Sequence, residues 1–250
     1  MSRPASSFVR EFDVEPERVL VLDRHYLLCL SSGLVRLEAD GRVWSLPPAR
    51  AALIAAQHPI RVTVVRPTVS ASALFDTAFV EAPPSPLAVF DLTPLARELV
   101  RECAAWGESD APLPPLATTL FQALAGVAWR AALTPSPTAM PVAHSAELRR
   151  ALELTEANLH DEVRCRAIAS EVGLTTRSLA RRFEDELGMT WRAALRRLRV
   201  VRAIEHLASG DDGVARIAAS VGYGSLSAFN AAFKELTGLT PSEYRASCTP

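Results

Sequence analysis

Three polar side chains near the carboxyl end are spaced so that a helix would present them on one face. Arg177, Ser178 and Arg181 stand at i, i+1 and i+4 in the stretch GLTTRSLARRFEDELGMT, residues 173–190. A guanidinium group holds its N–H donors in a rigid fork, so it can pair with two acceptors at once on a phosphate or on the edge of guanine. A serine hydroxyl both donates and accepts. The trio therefore predicts a binding surface for a phosphate or a base edge, provided that a helix holds it outward.

The helix that would hold these residues belongs to a pattern that occurs twice in the chain. Residues 168–173 (IASEVG) match residues 217–222 (IAASVG) at an offset of 49. After the turn the offset is 50, and the matched positions are Leu179, Phe183, Gly188 and Thr190 with Phe229, Phe233, Gly238 and Thr240. A short helix that ends at Gly, followed by an apolar residue and a polar helix start, is typical of a helix-turn-helix. Each copy therefore predicts two helices, the second with one buried stripe and one outward face.

The second copy has a different outward face, formed by Leu226, Ser227, Asn230 and Ala231, with Lys234 one turn on. It contains no arginine, so we predict weaker contact with bases than in the first copy. The starts of both second helices also offer free N–H groups to phosphate oxygens. The predicted DNA-binding residues are Thr175, Thr176, Arg177, Ser178, Arg181, Arg182, Ser225, Leu226, Ser227, Asn230 and Lys234.

Charge is unevenly distributed along a chain whose formal net charge is only −1. Between residues 177 and 202 there are eight arginines and three acidic residues. A basic band inside a nearly neutral protein is typical of a polyanion-binding face. Part of the band lies in a predicted helix over 190–209 that joins the two copies, and we expect about half of its arginines to form an ordinary solvated face.

Residues 168–245 resemble the DNA-binding region of the AraC/XylS family of bacterial transcription regulators. The stretch IAASVGYGSLSAFNAAFKELTGLTPSEYR carries the resemblance. It implies two helix-turn-helix units on a linking helix that enter successive major grooves about one helical turn apart. Thr240 and Glu243 also form a predicted capping box, with Pro241 at the first helical position. The family usually has Arg where Ala231 stands and Pro where Trp191 stands, and the first departure weakens the expected base contact of the second unit.

The chain before the proline-rich stretch TPSPTAMP, residues 134–141, has another character. Between residues 18 and 80, short β-branched runs separated by Ser-Gly, Asp-Gly and Pro-Pro predict six to eight antiparallel strands in a small barrel or sandwich, the last run being ALFDTAFV at 73–80. Two helices are predicted at 92–106 and 114–133, and Thr93 followed by Pro94 is a typical N-cap and first-turn pair for the first of them. The arrangement resembles the sensing portion of the same family. We therefore predict an α+β fold: a cupin-like β-barrel for effector binding over 1–90, helices for dimerisation over 91–134, a linker over 135–144, and an all-α seven-helix AraC-type domain with two helix-turn-helix motifs over 145–250.

His25 and Cys29 fall on one face of a predicted strand by the period of two, and His58 could join them. We predict that these three residues bind a small effector. A metal-binding cupin resembles a pattern of two His separated by one residue, then Glu, then His, and the sequence has nothing of that form. We therefore predict neither a metal site nor a cofactor.

The sequence as a whole predicts a sequence-specific DNA-binding transcription regulator rather than an enzyme. The expected partners are double-stranded DNA, a small effector, a second copy of the chain through the helices at 92–133, and RNA polymerase if the protein is an activator. No run of eighteen apolar residues occurs, so we expect no membrane span and a cytoplasmic location. Cys29, Cys103, Cys165 and Cys248 are scattered and expected to be free thiols.

Two other classes of protein remain open. A metal-dependent cupin-type enzyme with a helical appendage would need a metal ion. A methyl-accepting repair protein with a related DNA-binding part would need a reactive Cys in a basic pocket.

Overall fold

The computed structural model describes residues 3–136, 138–160, 163–209 and 212–248. The chain divides into two compact units. The first contains the chain up to Ala39 together with Trp44–Ser136, and the second contains Asp40–Val43 and the chain from residue 138 to Ala246. Long strands belong to the first unit and most helices to the second, which confirms the α+β class.

The first unit is built on an antiparallel sheet. The strands, in chain order, are β1 (Ala5–Phe12), β2 (Glu15–Leu20), β3 (His25–Ala39), β4 (Arg42–Leu46), β5 (Arg50–Ile54), β6 (Ile60–Phe75) and β7 (Leu87–Asp91). The first two residues of β4, Arg42 and Val43, belong to the second unit. The long strands β3 and β6 pair along most of their length, and bulges between Leu30 and Val35 bend them. Strands β1 and β2 share the far edge of β6, while β5 pairs with the start of β3 and with β7. The Asp-Gly turn predicted before β4 is confirmed, because Asp40 and Gly41 both have positive φ.

The strand pairings of the described residues do not close on themselves, so the predicted closed barrel was not found. The sequence of strand β2 explains why no further strand of the described residues pairs with the sheet at this edge. Pro16 has no N–H to donate, and three of its neighbours are charged, features that prevent a further strand from pairing.

Two local predictions about strands were also wrong. Strand β1 was missed because it begins with small residues, of which Ser6 and Ser7 are buried without showing an apolar alternation. The run predicted at residues 73–80 stops as a strand at Phe75.

Helices α1 (Pro94–Cys103) and α2 (Pro115–Ala132) cover one face of the sheet. The predicted cap of α1 is confirmed, since the Thr93 hydroxyl accepts a hydrogen bond from the Ala96 N–H at 3.2 Å. Phe75 of the sheet meets Phe121 and Trp129 of α2 edge to face. Both helices therefore bury apolar side chains against the sheet of their own chain.

The second unit is helical apart from one short strand, β8 (Met140–Pro141), which pairs with Arg42 and Val43. Its helices are α3 (Ala146–Ala157), α4 (Cys165–Glu171), α5 (Thr176–Leu187), α6 (Trp191–Ser209), α7 (Val214–Ser220), α8 (Leu226–Thr237) and α9 (Pro241–Cys248). Thr138, Ala139 and Met140 are buried, so the segment predicted as a linker over 135–144 contains ordered residues that pack into this unit.

In the parts of the chain that the structure describes, no helix combines the length and the apolar character that crossing a bilayer requires.

Candidate nucleic-acid interface

The first predicted helix-turn-helix is formed by α4 and α5. Gly173 ends α4 with φ at 68°, and the Leu174 N–H donates to the Ala169 carbonyl at 2.9 Å across the turn. The Thr175 hydroxyl then caps α5 by accepting from the Ser178 N–H at 3.1 Å. The inward stripe of α5, formed by Leu179, Phe183 and Leu187, is buried. The turn and the cap follow from local sequence, while the buried stripe sets which side of α5 faces solvent.

The outward side of α5 carries four of the predicted contact residues. Thr175, Thr176, Arg177 and Arg181 are all exposed. Within the described chain, no ion pair or hydrogen bond engages the guanidinium group of Arg177 or of Arg181. Two arginines one helical turn apart, both uncommitted, are therefore available to acceptors on a partner.

The other two predicted residues of α5 are committed to the protein itself. The Ser178 hydroxyl lies 2.9 Å from the Thr175 hydroxyl. Arg182 forms ion pairs with Glu147 at 3.4 Å and with Glu186 at 3.7 Å. Its position between two carboxylates makes Arg182 a link between α3 and α5, a role that helical spacing alone does not reveal.

Glu186 holds the start of α3 against the end of α5, and the sequence did not single it out. Its carboxylate accepts hydrogen bonds from the Ser145 hydroxyl at 2.6 Å and from the N–H groups of His144 and Ser145, both at 2.8 Å. Burial acts to raise the pKa of Glu186, but these hydrogen bonds and Arg182 outweigh it, so the pKa lies below its ordinary value. The charged form of Glu186 is therefore the one that stabilises the domain.

Glu186→Gln is expected to lower the free energy of unfolding at neutral pH by about 1 kcal/mol, because the amide accepts fewer of these hydrogen bonds. Since the folded-state pKa is lowered, the contribution of Glu186 is present above its unfolded value and is lost as the pH falls through the folded one. The difference between wild type and variant should therefore shrink in acid. Urea unfolding at neutral and acidic pH measures it. A difference that stays constant with pH would contradict a role for the charge.

The second predicted helix-turn-helix is formed by α7 and α8 and repeats the first closely. Gly222 ends the turn with φ at 85°, and the Tyr223 N–H donates to the Ala218 carbonyl at 2.9 Å. The Ser225 hydroxyl caps α8 through the Ala228 N–H at 3.4 Å. A chain of ring contacts, with centroids 5.4 to 5.7 Å apart, fills the interior. Its members are Tyr223, Phe229, Phe233 and Tyr244.

The outward side of α8 differs from that of α5. Ser225, Leu226, Ser227, Ala231 and Lys234 are exposed, and Asn230 is half-buried. The Asn230 Oδ1 atom is buried, and the described residues offer it no hydrogen-bond partner.

The final helix begins as predicted. The Thr240 N–H donates to the Glu243 carboxylate at 2.7 Å, and the Glu243 N–H donates to the Thr240 hydroxyl at 3.3 Å. The capping box is thus confirmed, and its hydrogen bonds from the Thr240 backbone and side chain lower the pKa of Glu243.

The linking helix α6 uses most of its arginines inside the protein. Arg197 donates to the Ala139 carbonyl at 2.6 Å, and Arg199 lies over the Tyr223 ring at 5.5 Å. Arg202 pairs with Glu156 at 3.7 Å and with Glu205 at 3.0 Å. Burial lowers the pKa of Arg197 and of Arg199. The basic band of the sequence is therefore in large part a scaffold, and the uncommitted charge is concentrated on α5.

Trp191 is buried at the start of α6. It stands where the family that the sequence resembles usually has Pro. Its indole N–H donates to the buried Thr155 hydroxyl at 3.2 Å. The ring belongs to the apolar core that joins α3, α4, α5 and α6. In this chain the start of the linking helix is thus held by core packing and by the Thr190 hydroxyl, which accepts from the Ala193 N–H at 3.1 Å.

The residues predicted to bind an effector lie in the first unit, and the structure does not bring them to an open site. His25 and Cys29 are both buried on the side of β3 that faces α1 and α2. His25 meets Trp129 edge to face, and its Nδ1 accepts from the Ala56 N–H at 3.0 Å. Burial lowers the pKa of His25, which favours the neutral ring. His58 lies in the loop before β6 and, like the other two, lines neither of the cavities described next.

The opposite face of the same sheet carries a cleft of about 730 Å³. Its wall includes Phe8, Arg10, Phe12, Arg18 and Tyr26. A smaller cavity of about 40 Å³ lies beyond and shares Phe12, Arg18, Leu20 and Tyr26 with the cleft. The period of two places Tyr26 and Leu28 on this face and His25 and Cys29 on the other. The predicted strand is present, and its two faces differ in their access to the cleft.

The described residues offer little support for a metal site or for a reactive thiol. They contain no group of three His, Cys, Asp or Glu side chains placed to hold a metal ion. Cys29, Cys103 and Cys165 are free, as predicted, and burial raises the pKa of the first two to about 12. A high pKa disfavours the nucleophilic thiolate. The side chain of Cys248 lies outside the described residues.

Comparison with known proteins supports the assignment of the second unit. A family model described as a helix-turn-helix domain matches residues 168–247. The regulatory protein PocR of Salmonella typhimurium is 32% identical over 105 residues, which are 42% of this chain and 35% of that protein. An AraC-like transcription regulator of Streptomyces antibioticus is 37% identical over 78 residues, which are 31% of this chain and 26% of that protein. The chain thus spans about a third or less of the length of these relatives.

Solved structures give two kinds of match. An AraC-type regulator from Chromobacterium violaceum is 29% identical, covers 41% of this chain and 92% of its own, and has a TM-score of 0.40. ToxT from Vibrio cholerae is 15% identical, with 98% of each chain covered and a TM-score of 0.43.

The family match, the identity to AraC-like regulators and the two capped helix pairs agree with one another. Residues 168–247 of this chain are a helix-turn-helix domain that is similar to those of AraC-like transcription regulators.

Proposed function

We propose that the chain is a sequence-specific transcription regulator whose two helix-turn-helix units bind double-stranded DNA. The observation that carries this proposal is the pair Arg177 and Arg181, exposed one turn apart on a capped helix and free of ion pairs within the described chain. Arg182, Arg197 and Arg202 have partners within the protein, whereas the guanidinium groups of Arg177 and Arg181 stay available to an external acceptor.

Affinity and specificity come from different groups in this proposal. The N-termini of α5 and α8, capped by Thr175 and Ser225, offer N–H groups to phosphate oxygens. Arg177 and Arg181 contact base edges in the major groove. Phosphate contacts make binding weaken as salt rises, while base contacts set which sequence is preferred.

The experiment that tests the function is selection of bound fragments from random duplex DNA, followed by titration of the recovered duplex by fluorescence anisotropy. The expected result is a motif whose two conserved blocks are one helical turn apart. A scrambled duplex of the same composition serves as the control. Recovery of no motif, or equal affinity for both duplexes, would exclude a sequence-specific regulator.

The first unit binds a small effector in the cleft rather than at His25, Cys29 and His58. A cupin-like role needs a pocket with an apolar wall and a few polar groups, and the cleft has both. Phe8 and Tyr26 stack at 6.0 Å, and Arg10 and Arg18 lie over phenylalanine rings nearby. Hydroxyl groups continue from Tyr26 to Ser72 and Ser70. A ligand with an apolar body and one anionic group fits this chemistry.

A thermal-shift screen tests the cleft with aromatic carboxylic acids and the matching amides. A carboxylate at about 100 times its Kd should add about 2.7 kcal/mol of stability and raise the melting temperature by several degrees. The shift should disappear when Arg10 and Arg18 are both changed to Gln, while a His25→Gln variant that folds should keep it. Equal shifts from acids and amides would refute an anionic effector.

Assembly and location follow from the same proposal. Leu95, Leu116 and Leu133 on or next to α1 and α2 remain exposed after these helices cover the sheet, and they offer an apolar contact for a homodimer. Sedimentation velocity that finds only monomer at high concentration would exclude the homodimer.

The regulator acts in the cytoplasm, and RNA polymerase is its partner if it activates transcription. No observation on the described residues favours the metal-dependent enzyme or the repair protein.

A further inference from the structure

The two DNA-facing helices present different chemistry at equivalent positions. The repeat offset of 50 pairs Thr176 with Leu226, Arg177 with Ser227, Ala180 with Asn230 and Arg181 with Ala231. Both helices begin at a hydroxyl cap and end at a left-handed Gly, so the pairing holds in the structure. Where the first unit offers two arginines, the second offers an apolar side chain, a hydroxyl, an amide and a methyl group.

The outward face of α8 is unusual for a solvated surface. Leu226 is 45% exposed in the first turn, and it is followed by the exposed residues Ser227, Ala228 and Ala231. A helix side that remains in water normally carries charged residues, and the equivalent side of α5 does. A lone exposed leucine needs no explanation, but two uncharged helical turns at the positions of the arginine face do. This face is therefore suited to contact with a binding partner.

We propose that the second unit contacts thymine–adenine pairs, with Leu226 against the C5 methyl group of thymine, while the first unit contacts guanine–cytosine pairs. The proposal rests on the proposed function and names the bases of each half-site. The thymine methyl group is the apolar group that the edges of the four bases offer in the major groove. The small side chains of Ser227 and Ala231 allow α8 to approach closely, and Leu226 then buries a methyl group.

Asn230 adds a second preference for the same base pair. An asparagine amide pairs bidentately with adenine, accepting from N6 and donating to N7. Because the Oδ1 atom of Asn230 has no partner among the described residues, rotation of the amide toward DNA loses no hydrogen bond at that atom.

The surroundings of α8 favour nucleic acid over a protein partner. Lys234 is exposed one turn beyond Asn230, and the Ser225 cap opens the helix N-terminus to phosphate. The exposed acid of this region, Glu235, pairs with Arg196 at 3.0 Å. The carboxylate is thus neutralised within the domain, which removes a repulsion that DNA phosphates would otherwise meet.

The test compares thymine with deoxyuridine, which lacks only the methyl group. The probe is the duplex recovered by selection, synthesised with thymine or with deoxyuridine in the block nearer the second unit. Wild type should bind the deoxyuridine duplex about fourfold more weakly, the effect of one buried methyl group. Leu226→Ala should bind both duplexes equally, and Leu226→Met should keep the difference. Arg181→Ala is the matched control, because it should weaken binding without changing the response to deoxyuridine.

The outcomes separate this inference from the proposed function. If selection recovers a guanine-containing block but no requirement for thymine in the second block, the inference is overturned. The proposed function as a regulator is unaffected by that result. Equal binding of both duplexes by wild type also overturns it, and assigns the uncharged face to another partner. Recovery of no motif overturns both. Circular dichroism of Leu226→Ala establishes that the variant is folded before its affinity is compared.

Discussion

Gly222→Ala is expected to lower the free energy of unfolding of the carboxyl-terminal domain by about 2 to 5 kcal/mol. Gly222 has φ at +85°, where an L-residue costs about 1 to 2 kcal/mol. A Cβ atom at this position would also collide with the Leu159 carbonyl oxygen and lie 2.6 Å from Nη2 of Arg199. Overpacking of that kind adds about 1 to 3 kcal/mol, because a backbone carbonyl and a stacked guanidinium group cannot both move aside.

Gly173 is the matched control, since it occupies the equivalent position in the first unit. Its φ is +68°, but an added Cβ atom would meet nothing within 4 Å. Gly173→Ala should therefore cost only the backbone strain, about 1 to 2 kcal/mol. Urea unfolding followed by far-ultraviolet circular dichroism measures both variants. Equal losses at the two positions would show that contact with Leu159 and Arg199 contributes nothing.

The contact at Gly222 also links the turn of the second unit to the linking helix. Arg199 of α6 stacks on Tyr223, the residue after Gly222, and Tyr223 meets Phe229 of α8. A displacement at the turn therefore reaches α8 directly. In Gly222→Ala protein that remains folded, the sequence preference at the second half-site should be lost before the preference at the first half-site.

Arg181→Ala is expected to weaken binding to the selected duplex by about 1 to 3 kcal/mol and to relax the preference at one base pair. Arg181 is exposed on α5 and has no ion pair within the described chain, so the change removes the proposed DNA contact without breaking a protein contact. In the proposed complex its guanidinium group pairs with both acceptors of a guanine edge, and a truncated side chain cannot replace that pairing. Competition titrations with duplexes changed at single positions give the loss at each base pair.

Arg166→Ala is the comparison for this prediction. Arg166 is also exposed, but it lies on α4, the helix that crosses the DNA backbone in such units. Its loss should weaken binding to all sequences alike and reduce the dependence on salt. If Arg181→Ala gave the same uniform loss, Arg181 would be a phosphate contact rather than a base contact.

The repeat, the caps and the turns could be predicted from sequence because each is a local feature. Thr93, Thr240 and Glu243 were identified as caps, and their hydrogen bonds are present. A cap depends on three or four consecutive residues, so neighbouring elements rarely alter it. The outward position of Arg177 and Arg181 followed from the period of a helix that buries Leu179 and Phe183.

Pairings between distant residues could not be predicted in this way. Arg182 was assigned to DNA, although Glu147, which lies 35 residues away in the sequence, pairs with it. Glu186 was overlooked because its partners His144 and Ser145 are brought to it only by the packing of α3 on α5. Such contacts depend on tertiary distances, and spacing along one helix carries no information about them.

The sequence by itself determined that two helix-turn-helix units follow a β-rich part, because periodic burial and capping are written into short segments. Only the tertiary structure decided which face of β3 lines a cleft, since a period of two assigns residues to two faces but cannot say which one the helices cover. The same limit applied to the arginines. Their number was visible in the sequence, but folding determined which of them have partners within the protein and which stay exposed at the surface.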